Sequence, residues 1–303
     1  KEFHRFNKGS WSGSLGESFG PFPRQVGWGG ESAGKSIGKN NAQRKDPGVA
    51  NMTLNLPQEV FGNRRRLLES IDTLRRQVAS SKALSAVDKF SAQAISMLLG
   101  GATRAFDLAL EDPRVVEKYD TSHIRIGHNN FRPSTLGKQM LLARRLCEAG
   151  AGFVSVHSAG WDMHADGNNP GMVKGMEMLG PSMDQAVSAF LEDVKQRGLS
   201  EKILLVVTGD FGRTPKIGKG SGRNHWANLC PLLFAGGGLR MGQVIGRSTA
   251  RAEKPASRPI TPVDMMTTIL HTVFDAGKMR LDPTVPPNPG KLVLDREPIK
   301  ELF

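Results

Sequence analysis

Cysteine and tyrosine are almost missing from this chain, which has two cysteines, Cys147 and Cys230, and one tyrosine among 303 residues. Two isolated cysteines make neither a disulfide framework nor a Cys-x-x-Cys metal motif, so they assign no redox compartment. No run of about 18 apolar residues occurs, which excludes a transmembrane helix. The opening KEFHRFNKGS has no apolar core of a signal peptide. Acidic residues are also short, 29 Asp and Glu against 41 Lys and Arg, for a net charge of +12. That balance favours an anionic partner, whether nucleic acid, acidic lipid, or a phosphate or sulfate ester. Nucleic acid is disfavoured among these, because the cations are dispersed and no aromatic pattern interleaves with them.

What is abundant is glycine, 35 residues in a chain whose 38% hydrophobic and 23% charged content is otherwise globular. Ten of the glycines fall in residues 1–49, among Ser, Asn, Lys and Arg with no helical or alternating period. The sequence therefore predicts an irregular Gly-rich segment over 1–50, and a chain that begins inside a longer protein. Residues 51–130 read as a helical insertion or cap region. Val60, Leu67, Leu68, Ile71, Leu74 and Val78 form one apolar stripe, and Leu84 to Leu110 form a second until Asp112 and Pro113 interrupt it.

Residues 131–303 read as an α/β unit. Ser134 caps a predicted helix that Gly150 stops, Phe153 to His157 reads as a strand, and Ser182 to Arg197 as a helix closed by Gly198. Strands follow at Ile203 to Val207 and Leu232 to Ala235, and Thr261 with Pro262 opens another helix. This order predicts a mostly parallel central sheet flanked by helices, with ligands gathered at the carboxyl ends of the strands.

Two short matches carry little. Gly29 to Ser36, GGESAGKS, fits the phosphate-loop consensus but lacks the preceding strand and following helix that the mechanism needs. Asn51, Met52 and Thr53 fit an N-glycosylation site, a pattern with high chance frequency.

Chemistry concentrates after the predicted strands. The stretch FVSVHSAGWDMHADGNNPG holds His157, Asp162, His164 and Asp166, oxygen and imidazole groups suited to a divalent ion. His157 reads more simply as a core-facing strand residue. The stretch TGDFGRTPKIGKGSGRNHWANLCP holds Asp210, Arg213, Lys216 and His225 in one glycine-rich loop. A carboxylate at a strand tip must be paired, hydrogen-bonded or bound to a cation, although a lone Asp there is more often a turn cap. Lys216 reads as solvated charge, and His225 beside Trp226 could equally be a packed pair.

GWDMHAD at 160–166, TGDFGRTPKI at 208–217, GRNHW at 222–226 and LLFAGGGLRMGQVIG at 232–246 resemble the bacterial domain-of-unknown-function 1501 family, as does 51–76. The family is related to the alkaline phosphatase and sulfatase superfamily. The resemblance implies an alkaline-phosphatase-like fold, and a metal-dependent hydrolase acting on phosphate or sulfate esters, small or polysaccharide. A non-catalytic protein that binds anions or polysaccharide and retains the fold is the alternative. It implies zinc, manganese or calcium held by Asp162, His164, Asp210 and His225, with Arg213 stabilising the anion. Phe211 stands where the superfamily has a histidine, which argues against a standard two-zinc centre. The nucleophile and a first strand have no counterpart before residue 50. The resemblance also implies an exported protein, periplasmic or secreted.

Overall fold

The computed structural model describes residues 56–57, 59–64, 66, 102–127, 131–167, 169–283, 285, 290 and 296–303. The first fifty residues, the Gly29 to Ser36 match, Asn51 and the greater part of the two helices expected between 60 and 110 lie outside them. Helices and short strands mix along the chain. They divide into two compact units, one of residues 1–116 and 142–155, the other of residues 117–141 and 156–303.

In the first unit, helix α1 (Ala102–Phe106) stops at Asp107, whose carboxylate accepts the Ala109 amide at 3.0 Å and opens a short 3-10 turn. Asp112 then caps helix α2 (Pro113–Lys118), accepting the Arg114 amide at 2.9 Å, with proline at the first helical position where its missing N–H costs nothing. The unit is tied together by charge. Arg144, 1% exposed, pairs with Glu111 and, at 2.6 Å, with Glu148. Arg145 reaches Glu111 at 2.8 Å and also donates to the carbonyls of Ala105 and Arg104.

Burial alone would raise the Glu111 pKa, but hydrogen bonds from Arg144 and Arg145 overcome it and bring it down to about 2 from an ordinary 4.5. A carboxylate depressed in the folded state stabilises the fold above its unfolded pKa and loses that contribution as pH falls. Acidification between pH about 4.5 and 2 should therefore remove stability through this group, by about 1–3 kcal/mol once solvent screening is allowed for. Glu111→Gln should flatten that stretch of the stability profile in denaturant titrations at stepped pH. An unchanged slope would show that the pair is not formed in solution.

The second unit holds the long helix. Helix α3 (Leu136–Glu148), which passes from one unit to the other, starts where Ser134 Oγ accepts the Leu136 amide at 3.3 Å. It ends as expected at Gly150, whose φ of 97° only glycine adopts readily. Helix α4 (Met172–Gln196) begins ten residues earlier than the sequence predicts and runs through Pro181. Proline normally ends such a helix. Here Gly175, Leu179, Ser182, Ala186, Phe190 and Asp193 recur at helical spacing and are all buried, and that face holds the helix together across the proline. Asp193 is not bare: Tyr119 donates its hydroxyl to one carboxylate oxygen at 3.1 Å and Arg197 Nε donates to the other at 2.6 Å.

Strand β3 (Leu204–Thr208) pairs with β6 (Leu232–Gly236), Leu204 facing Gly236 and Thr208 facing Leu232. The pairing is antiparallel. Two smaller antiparallel pairs join β1 (Arg125–Ile126) to β2 (Arg132–Pro133), and β4 (Gly212–Arg213) to β5 (His225–Trp226). The expected mostly parallel sheet is therefore not found among the described residues. Parallel pairing needs a crossover, usually a helix, whereas residues 209–231 between β3 and β6 contain a hairpin and return the chain alongside itself. The expected strand at Phe153 to His157 is also not formed. Residues 153–165 carry no strand, Phe153 is 81% exposed, and an alternating apolar pattern makes a strand only with a ladder partner.

Helix α5 (Pro262–Val273) starts as the sequence predicts. Thr261 and Asp264 form a reciprocal capping box, the Thr261 amide donating to Asp264 at 2.7 Å and the Asp264 amide to Thr261 Oγ1 at 3.3 Å. Thr261→Ala should lower stability by about 1 kcal/mol in denaturant unfolding. No change would mean that the turn before the helix is held by something else. A small core of Leu239, Ile299 and Leu302 closes the carboxyl-terminal end against Leu204, Phe234, Ile245 and Ile260.

Candidate metal centre

Asp162 and His164 flank Met163 in a tight turn, in which the His164 amide donates to Asp162 O at 3.2 Å. Met163 is 2% exposed and lies against Gly175 of α4, where a Cβ would come within 2.9 Å of its sulfur and neighbouring carbons. This buried anchor fixes the direction in which Asp162 and His164 point. Their partner His225 comes from β5, directly opposite Arg213 of β4 in the hairpin register.

The hairpin packs flush on the ligand loop. The Arg223 amide donates to Met163 O at 3.1 Å, and a Cβ on Gly222 would lie 1.8 Å from His164 O. Gly222 has an extended backbone that any residue adopts, so the close approach alone calls for glycine there. Two non-glycine residues next to this contact have positive φ, Ala165 at 59° and Ser221 at 63°. Strained backbone of this kind persists where the surroundings over-determine it, and it gathers at functional sites.

The result is a convergence of three donor atoms. His164 Nε2 lies 2.9 Å from His225 Nε2 and 2.9 Å from Asp162 Oδ1, and His225 Nε2 lies 3.2 Å from the same Oδ1. Asp162 and His225 are half exposed, whereas His164 is largely covered. Neighbouring donors around a tetrahedral ion with bonds of about 2.0–2.1 Å stand about 3.3 Å apart. Two imidazole nitrogens and one carboxylate oxygen on one side of a site, with room on the other, fit that coordination. Among the described residues these three are the one group of His, Cys, Asp or Glu with metal-ligand spacing.

Arg213 completes the cluster. It donates from Nη2 to Asp162 Oδ1 at 2.6 Å and to Trp161 O at 2.9 Å, and from Nη1 to Arg223 O and His164 Nε2, each at 3.2 Å. Burial opposes ionisation of Asp162, but the hydrogen bonds from Arg213 and His225 hold its carboxyl below the usual carboxylate range. The Phe211 ring lies on His225, with centroids 4.1 Å apart and planes tilted by 32°, and limits the rotation of that imidazole.

The remaining sequence candidates fall elsewhere. Asp210 is exposed and outside the three-atom cluster, Lys216 is exposed, and Asp166 caps a turn by accepting the Asn169 amide at 2.8 Å. His157, expected to face the core, is exposed, because the strand that would have buried it is not formed. Sequence reading missed Met163, Gly222 and Phe211 as supports. Nothing in the sequence signals the contact of Gly222 with a carbonyl 58 positions away.

The family model described as "Protein of unknown function (DUF1501)" matches residues 15–284. The chain belongs to the DUF1501 family. No curated protein and no solved structure matches it. The family match spans all four residues of the cluster, Asp162, His164, Arg213 and His225.

Proposed function

We propose that this DUF1501 protein is a metal-dependent hydrolase of phosphate or sulfate esters, resembling the alkaline phosphatase and sulfatase superfamily. The observation that carries the reading is the convergence of His164 Nε2, His225 Nε2 and Asp162 Oδ1 within 2.9–3.2 Å. Three ligands with an open side are the arrangement of catalytic rather than structural sites. The donor set favours zinc or manganese over calcium, which prefers oxygen alone. Bound there, such an ion would polarise an ester oxygen or activate a water molecule.

In this reading His164 and His225 hold the ion as neutral imidazoles and Asp162 as a carboxylate. Arg213 orients Asp162 from behind, and Phe211 and Met163 keep His225 and His164 in their rotamers. Asp210, outside the three-atom cluster, does not hold the ion in this reading. The alkaline-phosphatase-like architecture and an exported location are parts of the same proposal and rest on the resemblance alone.

The test is a screen of aryl phosphates and aryl sulfates with added zinc or manganese, run on the full chain and on His164→Ala. Turnover that needs the metal and is abolished in the variant supports the proposal. The second reading, a binding protein that keeps an anion pocket without turnover, is favoured by Phe211 where the superfamily has a metal-binding histidine. Metal and anion binding without hydrolysis of any ester would select it.

A further inference from the structure

The hydrogen bonds of Arg213 link the ion to an anion, an inference that rests on the metal reading above. A guanidinium donates only and never accepts. Both Nη2 hydrogens are used, on Asp162 Oδ1 and Trp161 O, and both Nη1 hydrogens are used, on Arg223 O and His164 Nε2. His164 Nε2 therefore accepts from Arg213 here, with His225 Nε2, 2.9 Å away, sharing the one lone pair of this imidazole nitrogen. A metal ion held through this nitrogen takes that same lone pair. Asp162 Oδ1 has more than one lone pair and can keep Arg213 while it binds an ion.

Entry of an ion thus breaks one Arg213 hydrogen bond and leaves the other three. The side chain is 17% exposed, so the freed N–H is mostly shielded from water, where an unmade hydrogen bond is costly. Charge points the same way. With neutral imidazoles, Asp162 and Arg213 cancel, so a divalent ion leaves the cluster doubly positive and repels the guanidinium beside it. A dianionic tetrahedral oxyanion removes both costs. One oxygen meets the open side of the ion, another accepts the freed N–H, and the charge returns to zero.

We propose that Arg213 makes the site accept a divalent ion and a dianionic oxyanion together, by occupying the His164 lone pair until both arrive. The class of ligand that fits is a phosphate monoester in preference to a singly charged sulfate ester.

The experiment is a Co2+ titration of the full chain in chloride buffer, followed by visible absorption. It is repeated with inorganic phosphate and with inorganic sulfate, correcting for free Co2+. The dianions should tighten Co2+ binding about tenfold or more, and Co2+ should tighten phosphate by the same factor. Arg213→Met removes the support it gives Asp162, so its Co2+ affinity in chloride should fall by up to about 100-fold, while its response to phosphate should drop below about twofold. Arg213→Lys keeps the charge without the fork, should also lose most of the coupling, and decides the matter if the Met variant does not fold. Equal Co2+ affinity with and without either dianion in the parent overturns the proposal while leaving the metal site intact. So does a phosphate response in a folded Arg213→Met variant equal to the parent's, which would make Arg213 a residue that only positions the ligands. Failure of the parent to bind Co2+ under every condition overturns the metal reading itself.

Discussion

Replacing His225 by Ala is expected to weaken zinc or manganese binding by more than the roughly 100-fold that loss of a partner outside the coordination sphere costs. The imidazole supplies one of three converging atoms, and its Nε2 stands 2.9 Å from His164 Nε2 and 3.2 Å from Asp162 Oδ1. Removing it leaves two ligands, too few to compete with water for either metal. The fold should survive, because the residue is half exposed and β5 keeps its backbone pairing with β4. Isothermal titration with Zn2+, alongside thermal unfolding, separates the two effects. Zinc binding within a fewfold of the parent would remove His225 from the site.

Gly222→Ala should have the next largest effect, although residue 222 carries no chemistry. The added Cβ would stand 1.8 Å from the carbonyl oxygen of His164 and 2.9 Å from Ala165 Cβ, distances at which backbone must move. Either the hairpin lifts from the ligand loop or His164 is displaced, and each separates His164 from His225. Metal affinity should fall about 10- to 100-fold, the range for residues that support ligands, with a stability loss of about 1–3 kcal/mol from overpacking. Gly209→Ala makes a useful control, since its nearest neighbour would lie at an ordinary 3.8 Å. Parallel titrations of the two variants give the comparison. Equal metal affinity in both would mean that the hairpin does not pack on the ligand loop as described.

Several features of this site are legible in sequence because they are local. Asp162-x-His164 is visible as a spacing of two, and Thr261-Pro262 announces a helix start through a cap and a preset φ. Leu204–Thr208 and Leu232–Gly236 are runs of apolar and β-branched residues bounded by turn formers, and they form strands within one residue of expectation. What fails to show is what depends on distant partners. The direction of β6 is set by how residues 209–231 return. The stretch around Val154 and Val156 has a strand pattern but no ladder partner among the described residues.

Pro181 misleads for a related reason. Its local penalty is real, yet the buried face from Gly175 to Asp193 outweighs it, and no single-residue propensity reports a face. Asp210 misleads in the opposite sense. Its place after β3 has the form of a ligand position, but β4 turns the chain so that Arg213, three residues on, enters the cluster instead.

The account depends on one claim above all, that Asp162, His164 and His225 hold a single divalent ion. X-ray absorption at the zinc edge of the zinc-loaded full chain tests it most directly. The account predicts one ion per chain, with two imidazole nitrogens giving their outer-shell scattering and oxygen completing a first shell at about 2.0–2.1 Å. A first shell of oxygen alone, or no zinc retained, would contradict it.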